Sequence, residues 1–100
     1  MKLFWTFEAI EDRRAIYAFV EAESPTSAIM LDDLFSGKSR RLISHPQLGR
    51  PGRVGGTREL VINRSYVLIY DIAGEYVRLL RVLNAARQWP PTSGTRQDDA

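Results

Sequence analysis

Cysteine is absent from this chain of 100 residues, which excludes disulfides, thiol chemistry and any zinc site built on thiolates. Histidine is represented by His45 alone, too few imidazoles for a metal centre, so neither a metal nor another cofactor is expected. The chain also lacks a run of about eighteen apolar residues that could span a bilayer. Its first residues read as a strand rather than as a charged segment followed by an apolar leader. A cytoplasmic protein without membrane contact is the expectation. Length and a 44% hydrophobic content suit one domain with one small core, so a bound partner can supply a meaningful share of its stability.

What is present is arginine. Twelve of the fourteen basic residues are arginines, suited to planar, bidentate contact with phosphate or carboxylate. The net charge of +2 hides a division along the chain. Residues 1–35 carry three basic and seven acidic side chains, whereas residues 36–96 carry eleven basic and three acidic, a net of +8. A basic surface of that kind either stays solvated or meets an anionic partner.

Leu3-Phe4-Trp5-Thr6-Phe7 is a short apolar, aromatic run, as a strand requires. Thr6 then stands where it can cap a helix whose first turn holds Glu8, Glu11 and Asp12, the sign that the helix dipole favours. Ile10, Ile16, Phe19 and Val20 form most of an apolar stripe on that helix, which should stop near Glu23. Ser24-Pro25 predicts a second helix start. Ala28, Leu31, Leu34, Phe35 and Leu42 carry that helix into the low forties, with Gly37 as a weak point. From His45 to Gly56, two prolines (Pro46, Pro51) and four glycines (Gly49, Gly52, Gly55, Gly56) predict a loop without regular structure, bearing Arg50 and Arg53. Thr57 to Ile62, Tyr66 to Ile72 and Tyr76 to Leu83 read as three strands. Their short links imply an antiparallel meander. The fold class is therefore α+β: an N-terminal strand, a two-helix hairpin and a three-stranded meander, forming one domain over residues 1–90. Residues 91–100, rich in Pro, Ser, Thr, Gly and charge, are expected to be a disordered tail.

Alternation divides the meander into two faces. Leu60, Ile62, Tyr66, Leu68, Tyr70, Val77 and Leu79, with Arg58 and Arg81 at the margin, should pack on the helices. Val61, Val67, Ile69, Leu80 and Val82, mixed with Glu59, Asp71 and Arg78, should form an open face with no helix left to cover it. An apolar patch of that kind marks a binding surface.

The order of these elements, together with Arg50-Pro51-Gly52-Arg53-Val54, Gly56-Thr57-Arg58-Glu59-Leu60, Tyr66-Val67-Leu68-Ile69-Tyr70 and Arg81-Val82-Leu83 through Arg87-Gln88-Trp89-Pro90, resembles the ParE/RelE toxin superfamily from Trp5 to Pro90. The resemblance implies a cytoplasmic toxin neutralised by a cognate antitoxin, in a hetero-oligomer with it. The toxin either cuts messenger RNA on the ribosome or poisons DNA gyrase. RNA cleavage through the 2′-hydroxyl needs a proton acceptor, a proton donor and cations around the phosphorus, and arginines supply only the last. In the RNA-cutting branch an arginine stands between the tyrosine and leucine where this chain has Val67. A histidine or tyrosine often follows the Arg-Val-Leu segment, where this chain has Asn84. The resemblance thus favours a ParE-like gyrase inhibitor over an mRNA endonuclease, with a basic nucleic-acid-binding module as a further alternative.

The candidate target-binding residues are Arg50, Arg53, Arg58, Arg81, Arg87 and Trp89. In the nuclease reading, Arg53, Arg58, Arg81 and Arg87 would hold RNA. Antitoxin is expected on Val61, Val67, Ile69, Leu80 and Val82. The structural alternatives are equally concrete: His45 as a helix-end cation, Glu59 as an ion-pair partner and Trp89 as an anchor of the terminal segment. Arg58 and Arg81, at the margin of a core face, should need anionic partners.

Overall fold

A computed structural model describes residues 1–86. Arg87, Trp89 and the expected tail lie outside the described residues. The elements follow the order β1 (Lys2–Trp5), α1 (Phe7–Glu21), α2 (Pro25–Ser44), β2 (Arg50–Pro51), β3 (Thr57–Val61), β4 (Tyr66–Ala73) and β5 (Tyr76–Asn84). The α+β class is as expected, with one more strand. Both helices begin where the caps predict. The Thr6 hydroxyl oxygen accepts from the Ala9 N–H, and that of Ser24 accepts from the Ser27 N–H with Pro25 opening the helix. Gly37 does not interrupt α2, and His45 leaves helical geometry directly after Ser44.

The sheet order is β1-β5-β4-β3-β2, with β1 parallel to β5 and the remaining pairs antiparallel. The loop after α2, expected to lack regular structure, contains β2. Arg50 pairs with Glu59, and Pro51 with Arg58. Proline is tolerated there because β2 is an edge strand and needs no donor on its open side. Gly74, at φ +60, makes the tight turn between β4 and β5 that a side chain would strain.

The core lies between the helices and one sheet face: Ala9, Phe35 and Leu42 meet Leu60, Ile62, Leu68, Tyr70, Val77, Leu79 and Val82. The expected stripe of α1 is corrected in part. Ile16 packs against the core and Val20 is half-buried, but Phe19 is 73% exposed and Ile10 39%, and Ala9 is the buried residue of that helix. A small residue at the contact lets the helix approach the sheet closely. The rest of that side is held by Arg13, whose guanidinium lies 4.6 Å from the Trp5 ring centroid and reaches Asp32 and Ser36 on α2. A cation-π contact and an ion pair thus occupy a place where the sequence suggested aliphatic packing.

A second correction concerns the faces. The β4–β5 register shifts at Ile69/Tyr70: Ile69 pairs with Arg81 and Tyr70 with Leu79, leaving Leu80 as the extra residue of a β-bulge. Beyond the bulge the alternation of β5 is inverted. Val82, expected on the open face, pairs with Leu68 and joins the helix-side core, while Leu83 takes the place opposite Val67 on the other face. Ile69 is also fully buried instead of open, and Leu83 is 3% exposed, although neither belongs to the helix-side cluster.

Candidate functional site

The face turned away from the helices carries a groove of about 150 Å³. Its floor comes from neighbouring strands at matching register: Val61 on β3 lies opposite Val67 on β4, and Val67 opposite Leu83 on β5, with Ile69 one step along. Arg50, Arg53 and Arg64 stand around it, each on an exposed segment. Val61 is 48% exposed and Val67 half-buried, so the accessible apolar surface is the β3 side of the floor, with Ile69 and Leu83 deeper.

The rim is organised by one carboxylate. Glu59 Oε1 accepts from Arg50 Nε at 3.3 Å and Nη2 at 3.1 Å, and Oε2 accepts from the Arg53 backbone N–H at 3.4 Å. Glu59 is 7% exposed, and the adjacent β2–β3 pairing fixes both partners. It is therefore an ion-pair partner, as its setting among arginines suggested. Among the described residues, the guanidinium groups of Arg53 and Arg64 make no hydrogen bond or ion pair, so their charge is available to a bound molecule. On the helix side of the same strand edge, Lys38 and Arg41 line a second depression that shares Arg50, Glu59 and Val61. The sequence reading overlooked Lys38 and Arg41 because they sit on a helix far from the loop arginines in the chain. Lys38 Nζ donates to the Ile62 carbonyl at 2.7 Å, which brings the two regions together.

The loop that presents Arg50 and Arg53 is anchored from below. The Tyr70 hydroxyl donates to the Pro46 carbonyl at 2.7 Å and accepts from the Gly49 N–H at 2.9 Å. Burial pushes the Tyr70 phenol above its ordinary pKa, against the opposing pull of the Gly49 N–H and the Arg58 charge. Arg58 Nη1 donates to the carbonyls of Gln47 and Gly49. Its expected anionic partner is replaced by loop carbonyls, whose partial charges serve the same end.

Arg81 does have the anionic partner expected of it, from α1. Arg81 Nε and Asp12 Oδ2 are 2.7 Å apart, Nη2 and Oδ1 are 3.1 Å apart, and Oδ2 also accepts from the Val82 N–H at 2.9 Å. The hydrogen bond to Asp12 raises the Arg81 pKa further. Thr6 completes this corner, donating its hydroxyl toward the carbonyls of Leu79 and Leu80. These bonds make Arg81 part of the bulge framework. Of the sequence-selected arginines, Arg50 and Arg53 come together at the groove, Arg58 lies beneath the loop and Arg81 stands at the α1–β5 corner.

The architecture is that of a small toxin domain. Residues 3–89 match the family described as the ParE toxin of the type II toxin-antitoxin system, parDE, and the chain belongs to that family. It is 33% identical over 90 residues to the Y4kP protein of Sinorhizobium fredii, covering 89% of this chain and 93% of that protein. It is 30% identical over 86 residues to toxin RelE2 of Caulobacter vibrioides, covering 86% and 97%. The chromosomal ParDE system of P. aeruginosa provides a solved chain with a TM-score of 0.74 at 27% identity, covering 84% of this chain and 95% of its own. The protein is thus the toxin of a ParDE-type toxin–antitoxin system, and an antitoxin is its family-defined partner. No helix among the described residues is long and apolar enough to cross a membrane.

Proposed function

We infer that this toxin arrests growth in the cytoplasm by binding and inhibiting DNA gyrase, and that its cognate antitoxin neutralises it by covering the arginine-rimmed groove in a hetero-oligomer. The observation that carries the non-nucleolytic reading is the environment of Val67. The position that bears an arginine in the RNA-cutting relatives is here part of an apolar floor, between Val61 and Leu83. Glu59, the carboxylate nearest the rim, already has both oxygens engaged, one by the Arg50 guanidinium and the other by the Arg53 N–H. Asn84, at the end of β5, has no titratable proton to donate.

Antitoxin binding to the groove rests on two complementary features. Val61 and Val67 offer apolar contact, while Arg53 and Arg64 offer charge for an acidic, aliphatic segment. Leu80 is half-buried beside the bulge. Val82 leaves the proposed surface because it packs against the helices. The deciding experiment compares purified toxin in two assays, gyrase supercoiling and translation in extract. Inhibited supercoiling with intact messages supports the reading. Cleavage of messages on ribosomes, with gyrase unaffected, replaces it by the endonuclease alternative.

A further inference from the structure

The two edges of the sheet differ in a way that points to a second interface. The β2–β3 edge carries three cations, Lys38, Arg41 and Arg50, against the one carboxylate of Glu59, and this net positive charge would repel another copy of itself. The β1 edge carries both signs and a set of exposed aromatic residues. Lys2 N donates to the Glu75 carbonyl at 2.8 Å and Thr6 N to the Leu79 carbonyl at 3.1 Å, so residues of that parity, Phe4 included, turn their backbone groups toward β5. The N–H and C=O groups of Leu3 and Trp5 consequently point away from the sheet. Among the described residues no strand pairs with them. Phe4 is 51% exposed on the face opposite the helices, and Phe7 is 72% exposed just beyond Thr6. Open edges with apolar flanks are templates for strand addition.

We propose that β1 pairs antiparallel with β1 of a second copy of this chain, across a two-fold axis that joins the two sheets into one. Only one register satisfies the outward groups and the symmetry together while bringing the exposed aromatics into contact: Leu3 of one copy stands opposite Trp5 of the other, and Phe4 faces Phe4 at the axis. The Leu3–Trp5 positions exchange hydrogen bonds. Phe4 occupies the position without them, where opposed side chains come closest and aromatic pairs contribute most. The same register sets Lys2 of one copy opposite Thr6 of the other, beside the first turn that bears Glu8, and the isologous contact therefore matches cation to anion on both sides. The groove at Arg53 and Arg64 borders the far edge of the sheet and stays open, so this association is independent of the gyrase and antitoxin readings.

The absence of cysteine permits a direct test with the full-length toxin. Phe4→Cys should form an intermolecular disulfide under mild oxidation, because opposed Cβ atoms at such a position lie about 4.5–5.5 Å apart. Val61→Cys, on the other edge, should not. In sedimentation velocity the unsubstituted toxin should show a concentration-dependent dimer. Phe4→Glu, which sets two carboxylates against each other at the axis, should weaken that dimer at least tenfold while leaving the circular dichroism spectrum unchanged. A monomer at every accessible concentration would overturn the proposal. So would a dimer indifferent to Phe4→Glu, or protection of the Phe4→Cys thiol by antitoxin in a toxin that is otherwise monomeric.

Discussion

Tyr70 and Gly49 are fitted to each other so closely that no side chain can stand at position 49. A Cβ there would lie 2.8 Å from Tyr70 Cε1 and 2.9 Å from its hydroxyl oxygen, and 2.8 Å from the backbone carbonyl of Glu59. Neither neighbour can retreat easily, since Tyr70 is fully buried and the carbonyl belongs to the sheet. Gly49→Ala should therefore destabilise the toxin by about 1–3 kcal/mol through overpacking. Chemical denaturation of the two proteins measures it.

The same phenol makes stability depend on alkaline pH. Burial raises the folded-state pKa of Tyr70 above that of an ordinary phenol, so the unfolded chain loses this proton first. The stabilisation from the neutral, hydrogen-bonded phenol is complete below the unfolded pKa and is lost as pH rises from there through the folded pKa. Tyr70→Phe should cost about 1–3 kcal/mol at neutral pH, because the buried Gly49 N–H loses its acceptor, and should flatten the alkaline limb of the stability curve. Melting temperatures measured across that pH range for both proteins would expose an identical limb if another group were responsible.

Asp12 serves the bulge as a surrogate strand partner, binding the Val82 N–H and the Arg81 guanidinium through one carboxylate. Asp12→Ala should lower stability by about 1–3 kcal/mol, and Asp12→Asn by less, since an amide oxygen can still accept from Val82. If Arg81 works through Asp12, the double variant Asp12→Ala/Arg81→Ala should be less damaged than the sum of the two single changes. Additive losses in a denaturation series would separate the two residues.

Particular residues show how far the sequence reaches. Thr6, Ser24 and Pro25 announce the helix starts because capping is local chemistry, and the alternation of β3 and most of β4 is legible for the same reason. The β1–β5 pairing and the bulge at Leu80 depend on contacts about seventy residues apart, such as Thr6 with Leu79 and Asp12 with Val82. No window of sequence contains both partners. One extra residue in β5 then exchanges the faces of Val82 and Leu83, so a strict two-residue period misplaces Val82 while placing Val67 and Leu68 correctly. On α1, the periodic stripe misleads at Ile10 and Phe19, because Ala9 and Arg13 join Ile16 in meeting the sheet side. At the site, the loop arginines were visible as a cluster. The depth of Ile69 and the contribution of Lys38 and Arg41 required the folded arrangement.

The register across β4 separates fold from partner binding at neighbouring positions. Leu68 lies between Leu60 and Val82 in the helix-side core, 1% exposed, whereas Val67 lies between Val61 and Leu83 on the groove floor and is only half-buried. A carboxylate at position 68 would be buried without a counter-charge, so Leu68→Asp should unfold the toxin, and Val82→Asp should do the same from the adjoining strand. Val67→Asp can reach solvent and the rim arginines; it should leave a cooperative thermal transition and weaken antitoxin binding at least tenfold. Ile69→Asp, although on the groove side, should resemble Leu68→Asp because Ile69 is fully buried. Arg53→Glu combined with Arg64→Glu should slow association with an acidic antitoxin and reduce its dependence on salt, with little change in melting temperature, since charges at the margin act mainly on encounter. Calorimetric titration of the Val67→Asp toxin with antitoxin, together with stopped-flow association of the arginine variants at two ionic strengths, reads both effects. Full-affinity binding by a folded Val67→Asp toxin would remove the groove floor from the antitoxin interface.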